Sequence, residues 1–382
     1  MHRRLWFAPV SAAMALGAML GLTPAADAAD AIGANGHGAE RVVFVQTNNL
    51  TGNRIVAYDR SDDGSLSFAK GYATGGRGGA LDGAVSDKLA SQGSLTYDRR
   101  HALLFAVNAG SDSLSVFAVD GDELELRQVL PSAGTFPVGV AVHDNLVYVL
   151  NARDGGKVTG FRIVNGKLDR IHGSGRGLGL DPTATPEFVN TPGQLGFTPD
   201  GSKLIVTTKA NGNDIDVFLV GDDGRLSAHP VVNTQPGTVP FAFTFDAASR
   251  LVLTQAGPSA LATYAIKANG TLRLVSSRSD GQAAACWVVA DQGRFYVSNT
   301  GTSNVSIFRV GAAGNVSLVG TAVPTDTGTI DAAVTTNGRF LYVQTGVNGI
   351  VDAFVVRSNG TLQAIGSTTV PNGVGFEGIV AA

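Results

Sequence analysis

Residues 197–226 read FTPDGSKLIVTTKANGNDIDVFLVGDDGRL, and residues 335–362 read TTNGRFLYVQTGVNGIVDAFVVRSNGTL. Each is a polar turn, an apolar run, a second turn and another apolar run that closes on D-G or N-G. Val, Ile, Leu and Tyr in such runs fit a pleated, half-buried surface. A two-residue D-G or N-G turn between alternating runs is a strong hairpin signal. The same unit returns as VVFVQTNNLTGNRIVAYD from 42, LLFAVNAGSDSLSVFAV from 103 and LVYVLNARDGGKVTGFRI from 146. It returns again as LVLTQAGPSALATYAI from 251 and FYVSNTGTSNVSIFRV from 295. Most copies start about 45 residues apart, the period of a four-stranded propeller blade.

A further short run precedes six of the seven copies: QGSLTYD, PVGVAVHD, PGQLGFTPD, PFAFTFDA, CWVVADQG and DAAVTTNG. The copy from residue 42 has none. The matching run is GFEGIVAA, residues 375–382, at the far end of the chain. The pattern predicts an all-β, seven-bladed β-propeller with four-stranded antiparallel blades, closed by the C-terminal strand. Closure removes the free strand edges that invite aggregation.

Outside the repeats, residues 1–28 carry Arg3 and Arg4, an uncharged apolar run from 8 to 22 and an Ala-Asp-Ala exit at 26–28. These are the parts of a secretory signal peptide, and the run is shorter than the about 20 residues a membrane span needs. The expected organisation is a signal peptide over 1–28, a flexible leader over 29–40 and one propeller over 41–382. The mature chain is expected to be exported, periplasmic or extracellular, and monomeric, with no membrane span after cleavage.

The formal charge is −3, and −4 without the signal segment. With no basic cluster, nucleic acid is not an expected partner. Cys286 is the only cysteine, which excludes an intrachain disulfide. No H-x-H, HExxH or CxxC spacing points to a metal, and no phosphate loop or dinucleotide fingerprint points to a cofactor.

Strand direction alternates within a blade. The start of strand one, the end of strand two and the link to the next blade therefore share one face. Two links carry insertions, 75–91 (GGRGGALDGAVSDKLAS) and 173–191 (GSGRGLGLDPTATPEFVNT), which would cover one mouth of the channel. Strand two ends there on Thr47, Asn108, Asn151, Lys209, Gln255, Asn299 and Thr345. Strand one starts there on Glu377, Ser94, Gly139, Gln194, Ala242, Cys286 and Asp331. Asp331 and Glu377, from neighbouring blades, form a candidate catalytic pair that could share a proton, bind a cation or activate a water through one carboxylate, although acids at these positions also cap backbone N–H groups. Lys209 and Arg153 are candidates to hold a substrate carboxylate. Asn108, Asn151, Gln194, Gln255 and Asn299 are candidate binding amides, although amides at strand ends also tie off turn backbone.

These units resemble the lactonase-type propellers, a family that includes bacterial 6-phosphogluconolactonase and the carboxymuconate-lactonising enzymes. The likeness runs from about residue 41 to the end and implies lactone chemistry. The family pattern places a His-x-His element at the positions of Thr191 and Gly193, an Arg-His pair at Phe241 and Ala242, and a Glu at Ala256. The flanking Pro192 and Pro240 remain. Two functions are thus expected: a lactonase-like hydrolase of a lactone or related ester, or a non-catalytic propeller. The partner is then a small lactone or carboxylate ligand, or an envelope protein.

Overall fold

The computed structural model describes residues 41–382; the signal and leader expected over 1–28 and 29–40 lie outside them. Seven antiparallel sheets follow one another around a central channel. Blade two shows the plan: Leu95–Asp98 lines the channel, then Leu103–Asn108, Ser113–Asp120 and the outer Glu123–Pro131. Strand two is buried end to end in this blade, as in Val42–Gln46 of blade one and Phe340–Thr345 of blade seven. The outer strands alternate between exposed and half-buried positions, the pattern of a sheet with one wet face.

Closure occurs where the sequence places it. Ile379–Ala381 pairs antiparallel with Val42–Gln46, in the register Val43↔Ala381, Phe44↔Val380 and Val45↔Ile379. The first blade therefore joins both ends of the ring.

The outer edge departs from four regular strands in three blades. In blade three Lys167–Arg170 and Arg176–Gly177 both pair with Lys157–Val164. In blade six Val316–Leu318 and Val323–Pro324 both pair with Asn304–Val310. In blade four the segment expected as strand four makes only a bridge, Val220↔Leu226, and regular pairing resumes at Val231–Thr234. Pro230 lies in the gap and has no N–H to give a ladder.

Neighbouring blades are tied through the turns between strands three and four. The buried Tyr148 hydroxyl of blade three donates to the Gly224 carbonyl of blade four (2.9 Å). Tyr342 of blade seven donates to Gly64 of blade one (2.7 Å), and Thr263 of blade five to Gly314 of blade six (2.6 Å). Gly64 sits at φ +90°, and a Cβ there would lie 2.4 Å from two Phe340 ring carbons.

Replacing Gly64 therefore strains the backbone and drives a methyl into a packed ring at the closing seam. Gly64→Ala should cost about 2–4 kcal/mol in chemical denaturation. A cost under about 0.5 kcal/mol would show that this seam tolerates separation.

Candidate functional site

The first insertion does more than cover the channel: it enters it. Leaving blade one, the chain is pinned over the mouth where Asn48 exchanges two hydrogen bonds with Gly79, both 2.9 Å. Ser91 and Gln92 then reach across to blade six. The Trp287 indole donates to the Ser91 carbonyl (2.7 Å), and the Gln92 amide both donates to and accepts from the Val288 backbone, each at 3.0 Å. Ser91 also donates to Val138 of blade three, and the Lys88 ammonium to Val374 before the closing strand. The segment acts as a plug hydrogen-bonded to several blades.

Above the plug is a cavity of about 380 Å³. The first insertion lines it with Val85 and Asp87, the second with Phe188, and the blades with Lys209, Phe241 and Trp287. Phe241 and Ala256, which stand at two family-implied catalytic positions, are part of this wall. Thr191, at a third, accepts a hydrogen bond from Lys209 (3.1 Å).

Asp87 is the functional candidate that the repeat pattern did not reveal. Its carboxyl is buried and accepts the Leu89 and Ser91 N–H groups at 2.7 and 3.0 Å. Burial pushes its pKa up to about 7, against the opposing effect of those N–H groups and of Lys209. Residue type alone could have flagged it: the first insertion carries two acids, Asp82 and Asp87. What the repeats could not supply was a direction for a residue with no counterpart in the other blades.

Asp331 and Glu377 are brought together, and Asp87 joins them. Asp331 is raised to about 8 and Glu377 well above its ordinary value; burial is the main cause in both, and Asp87 adds repulsion to both. Asp331 Oδ1 accepts the Ala332 N–H (2.9 Å), whereas the Glu377 carboxyl oxygens make no hydrogen bond of normal geometry and have only the Ser94 N–H and hydroxyl nearby to favour ionisation. The Ser94 hydroxyl donates to the Glu377 backbone carbonyl instead (2.9 Å). An ionised carboxylate left so is too costly, so the protonated form dominates. Neither residue lines the cavity; only Asp87 of the three does. Among the described residues no cluster of His, Cys, Asp or Glu is placed to hold a metal ion.

Lys209 is buried at φ +55° with its ammonium fully engaged. It donates to Ala90 O (2.7 Å), Phe188 O (2.5 Å) and Thr191 Oγ1 (3.1 Å), tying the two insertions together. Burial lowers its pKa to about 7, partly offset by Asp87.

Arg153 does not reach the cavity. It forms a two-pronged pair with Glu187 (2.7 and 3.1 Å), stacks over Phe136 and borders a separate space of about 40 Å³. Glu187 also accepts the Asp82 N–H (2.7 Å), so Arg153 braces one insertion against the other. The amides do not converge either. Asn108 bonds Thr74, Asn53 and Ser115; Asn299 bonds Asn304 and Ser306; Gln255 joins Tyr264 and Ser277. Gln194 bridges to Phe243 in the next blade, and Asn151 makes one long bond to the Lys157 carbonyl (3.4 Å). Cys286 lines the cavity, but burial pushes its thiol up to about 12, which leaves it a weak nucleophile.

A ring of seven four-stranded blades around a plugged channel defines a seven-bladed β-propeller. The family description "Lactonase, 7-bladed beta-propeller" matches residues 194–376, and the chain resembles this lactonase-type family. Solved structures share the fold at low identity. A Lactobacillus plantarum protein is 22% identical, with TM-score 0.69 over 88% of this chain and 98% of that one. A Bacteroides uniformis protein provisionally named a 6-phosphogluconolactonase is 18% identical, with TM-score 0.70 over 89% and 99%. The periplasmic gluconolactonase of Pseudomonas aeruginosa is 17% identical, with TM-score 0.69 over 89% and 98%. No curated protein matches the sequence significantly.

The acid cluster makes a stability prediction. Asp331 has a folded pKa raised above its unfolded value, so its protonated form stabilises the fold below about pH 4. That contribution is lost as pH rises from there through about 8. Asp331→Asn removes the titration and keeps an oxygen for Ala332. Its melting temperature should match the parent below about pH 4 and exceed it at pH 9 by at least roughly 2 °C, about 1 kcal/mol in a chain this long. Parallel melting curves across this range would mean that Asp331 ionises freely.

Proposed function

We propose that this chain is a lactonase-like hydrolase that opens a lactone or related ester in the cavity lined by the two insertions. The carrying observation is one carboxyl, Asp87, presented to an otherwise largely apolar cavity with a pKa near neutrality. That is the setting in which a carboxylate serves as general base at neutral pH. In this reading ionised Asp87 takes a proton from a water, whose oxygen adds to the carbonyl carbon. The ring C–O bond then breaks, and Asp87 returns the proton to the departing alkoxide, leaving a hydroxy acid. The Lys209 charge steadies the oxyanion through space. Asp331 and Glu377 act as positioning residues that keep Asp87 in a buried, carboxyl-rich setting.

The likeness to the lactonase-type family supports this chemistry in kind, and the amino-terminal segment suggests that it takes place outside the cytoplasm. One observation favours binding without turnover: all three Lys209 donors are already used, so no uncommitted cation faces the cavity.

Hydrolysis of a lactone and aryl-ester panel separates the two. The rate should rise as Asp87 ionises through about pH 7 and fall as Lys209 loses its proton near the same value, giving a maximum near neutrality. Asp331, Glu377, Cys286 and Glu187 are the other ionisable neighbours of this pair. Asp87→Asn keeps an oxygen for one of the two plug N–H groups, which use separate carboxylate oxygens; it should lower kcat at least about 100-fold while costing about 1–3 kcal/mol, so the chain stays folded. Undiminished turnover in that variant would remove Asp87 from the mechanism.

A further inference from the structure

The cavity wall narrows the ligand, an inference that rests on the hydrolytic reading but has a test of its own. Phe241 and Trp287 pack with ring centroids 4.8 Å apart at 57°, forming an aromatic corner. Phe188 and Val239 extend the apolar surface, and Val85 continues it onto the rim, where it is 72% exposed. The polar groups are few and mostly committed. The Thr300 hydroxyl donates to Thr329 (2.8 Å), and the Trp287 N–H to Ser91. Lys209, the one cation in the wall, gives its three N–H groups to the two insertions and lies 5.4 Å from the Phe241 ring centre. Arg153 is held by Glu187 outside this space. The floor carries Asp87, with Asp331 and Glu377 close enough to couple to it electrostatically.

From this geometry we infer that the ligand is an uncharged lactone or ester with an apolar alkyl or aryl body, its body on Phe241 and Trp287 and its carbonyl toward Asp87. A phosphorylated or carboxylated ligand would bring an anion into an apolar space beside carboxyl groups, with no free cation to meet it. A polyhydroxylated ring would bury hydroxyls without partners, and such unpaired groups discriminate strongly. A cavity of this size suits a compact ligand, at the lower end of the range of small-molecule sites.

Trp287 provides the readout, since the only other tryptophan, Trp6, lies outside the described residues. The full chain is titrated with γ-decanolactone, with the hydrolysis-resistant lactam 5-hexylpyrrolidin-2-one, and with δ-gluconolactone and its 6-phosphate; Trp287→Phe supplies the blank. The alkyl lactone and lactam should give a saturable emission change at concentrations at least about tenfold below any response to the two sugar lactones. Ala256→Glu, in the cavity wall, and Val85→Glu, on the exposed rim, should each weaken the lactam. Equal or tighter binding of either sugar lactone would overturn the inference, as would a lactam response unchanged in both variants. Selective binding without turnover would uphold this ligand class while removing the hydrolase reading. Indiscriminate turnover of both classes would do the reverse.

Discussion

The site depends on how one segment outside the blades is fastened across the channel. Trp287 gives its indole N–H to Ser91, and the Gln92 amide satisfies the donor and acceptor of Val288 at once. The innermost strand of a blade presents unpaired backbone groups to the channel, and buried groups of that kind must be matched. Gln92 matches one such pair with a side chain, and Gln194 does the same for Phe243. Each bond contributes only about 1 kcal/mol, but leaving a partner unmatched costs more. The plug is thus fixed in position, and the channel becomes two separate spaces. One is the cavity above Asp87. The other, about 400 Å³ and lined by Gln92 and Gln194 beneath the plug, opens on the opposite face.

The same fastening explains the electrostatics. Asp87 is carried to the channel axis by the plug, while Asp331 and Glu377 come from the starts of innermost strands in blades seven and one. Three carboxyls meet there because the ring converges, and convergence also excludes water. Burial pushes all three toward the protonated forms, and Asp87 adds repulsion to Asp331 and Glu377. Lys209 does not neutralise them by direct pairing. Its three oxygen partners belong to the insertions, so the closed mouth depends on a buried charge that would otherwise be expensive.

The blades were legible because a repeated unit tests itself. Seven hairpins with similar turns fix the count, and a strand missing at residue 42 and present at 379 fixes the closure. The outer edges were less legible, since Pro230 and the broken strands near 171–175 and 319–322 affect pairing without altering the hydrophobic pattern. The polar mouth was legible as a set of positions but not as a site. A strand-end amide looks alike in sequence whether it faces a ligand or, as Asn108 does, four side-chain partners of its own. Arg153 shows the same limit: its partner Glu187 lies within an insertion, and no spacing rule links the two.

A division of labour follows from where each group resides. The blades provide the cavity's apolar wall, through Phe241, Ala256 and Trp287, at positions that ring closure also requires to be well packed. The insertions provide the cavity's carboxyl, Asp87, and the cover over the mouth. In a propeller the links on one face can lengthen without disturbing strand register, because register is set within each blade. Chemistry placed on a link is therefore free to differ while the ring stays the same. The side chains at Thr191, Gly193, Phe241, Ala242 and Ala256 fit that logic: the ring keeps its packing there, and the acid stands on the plug instead.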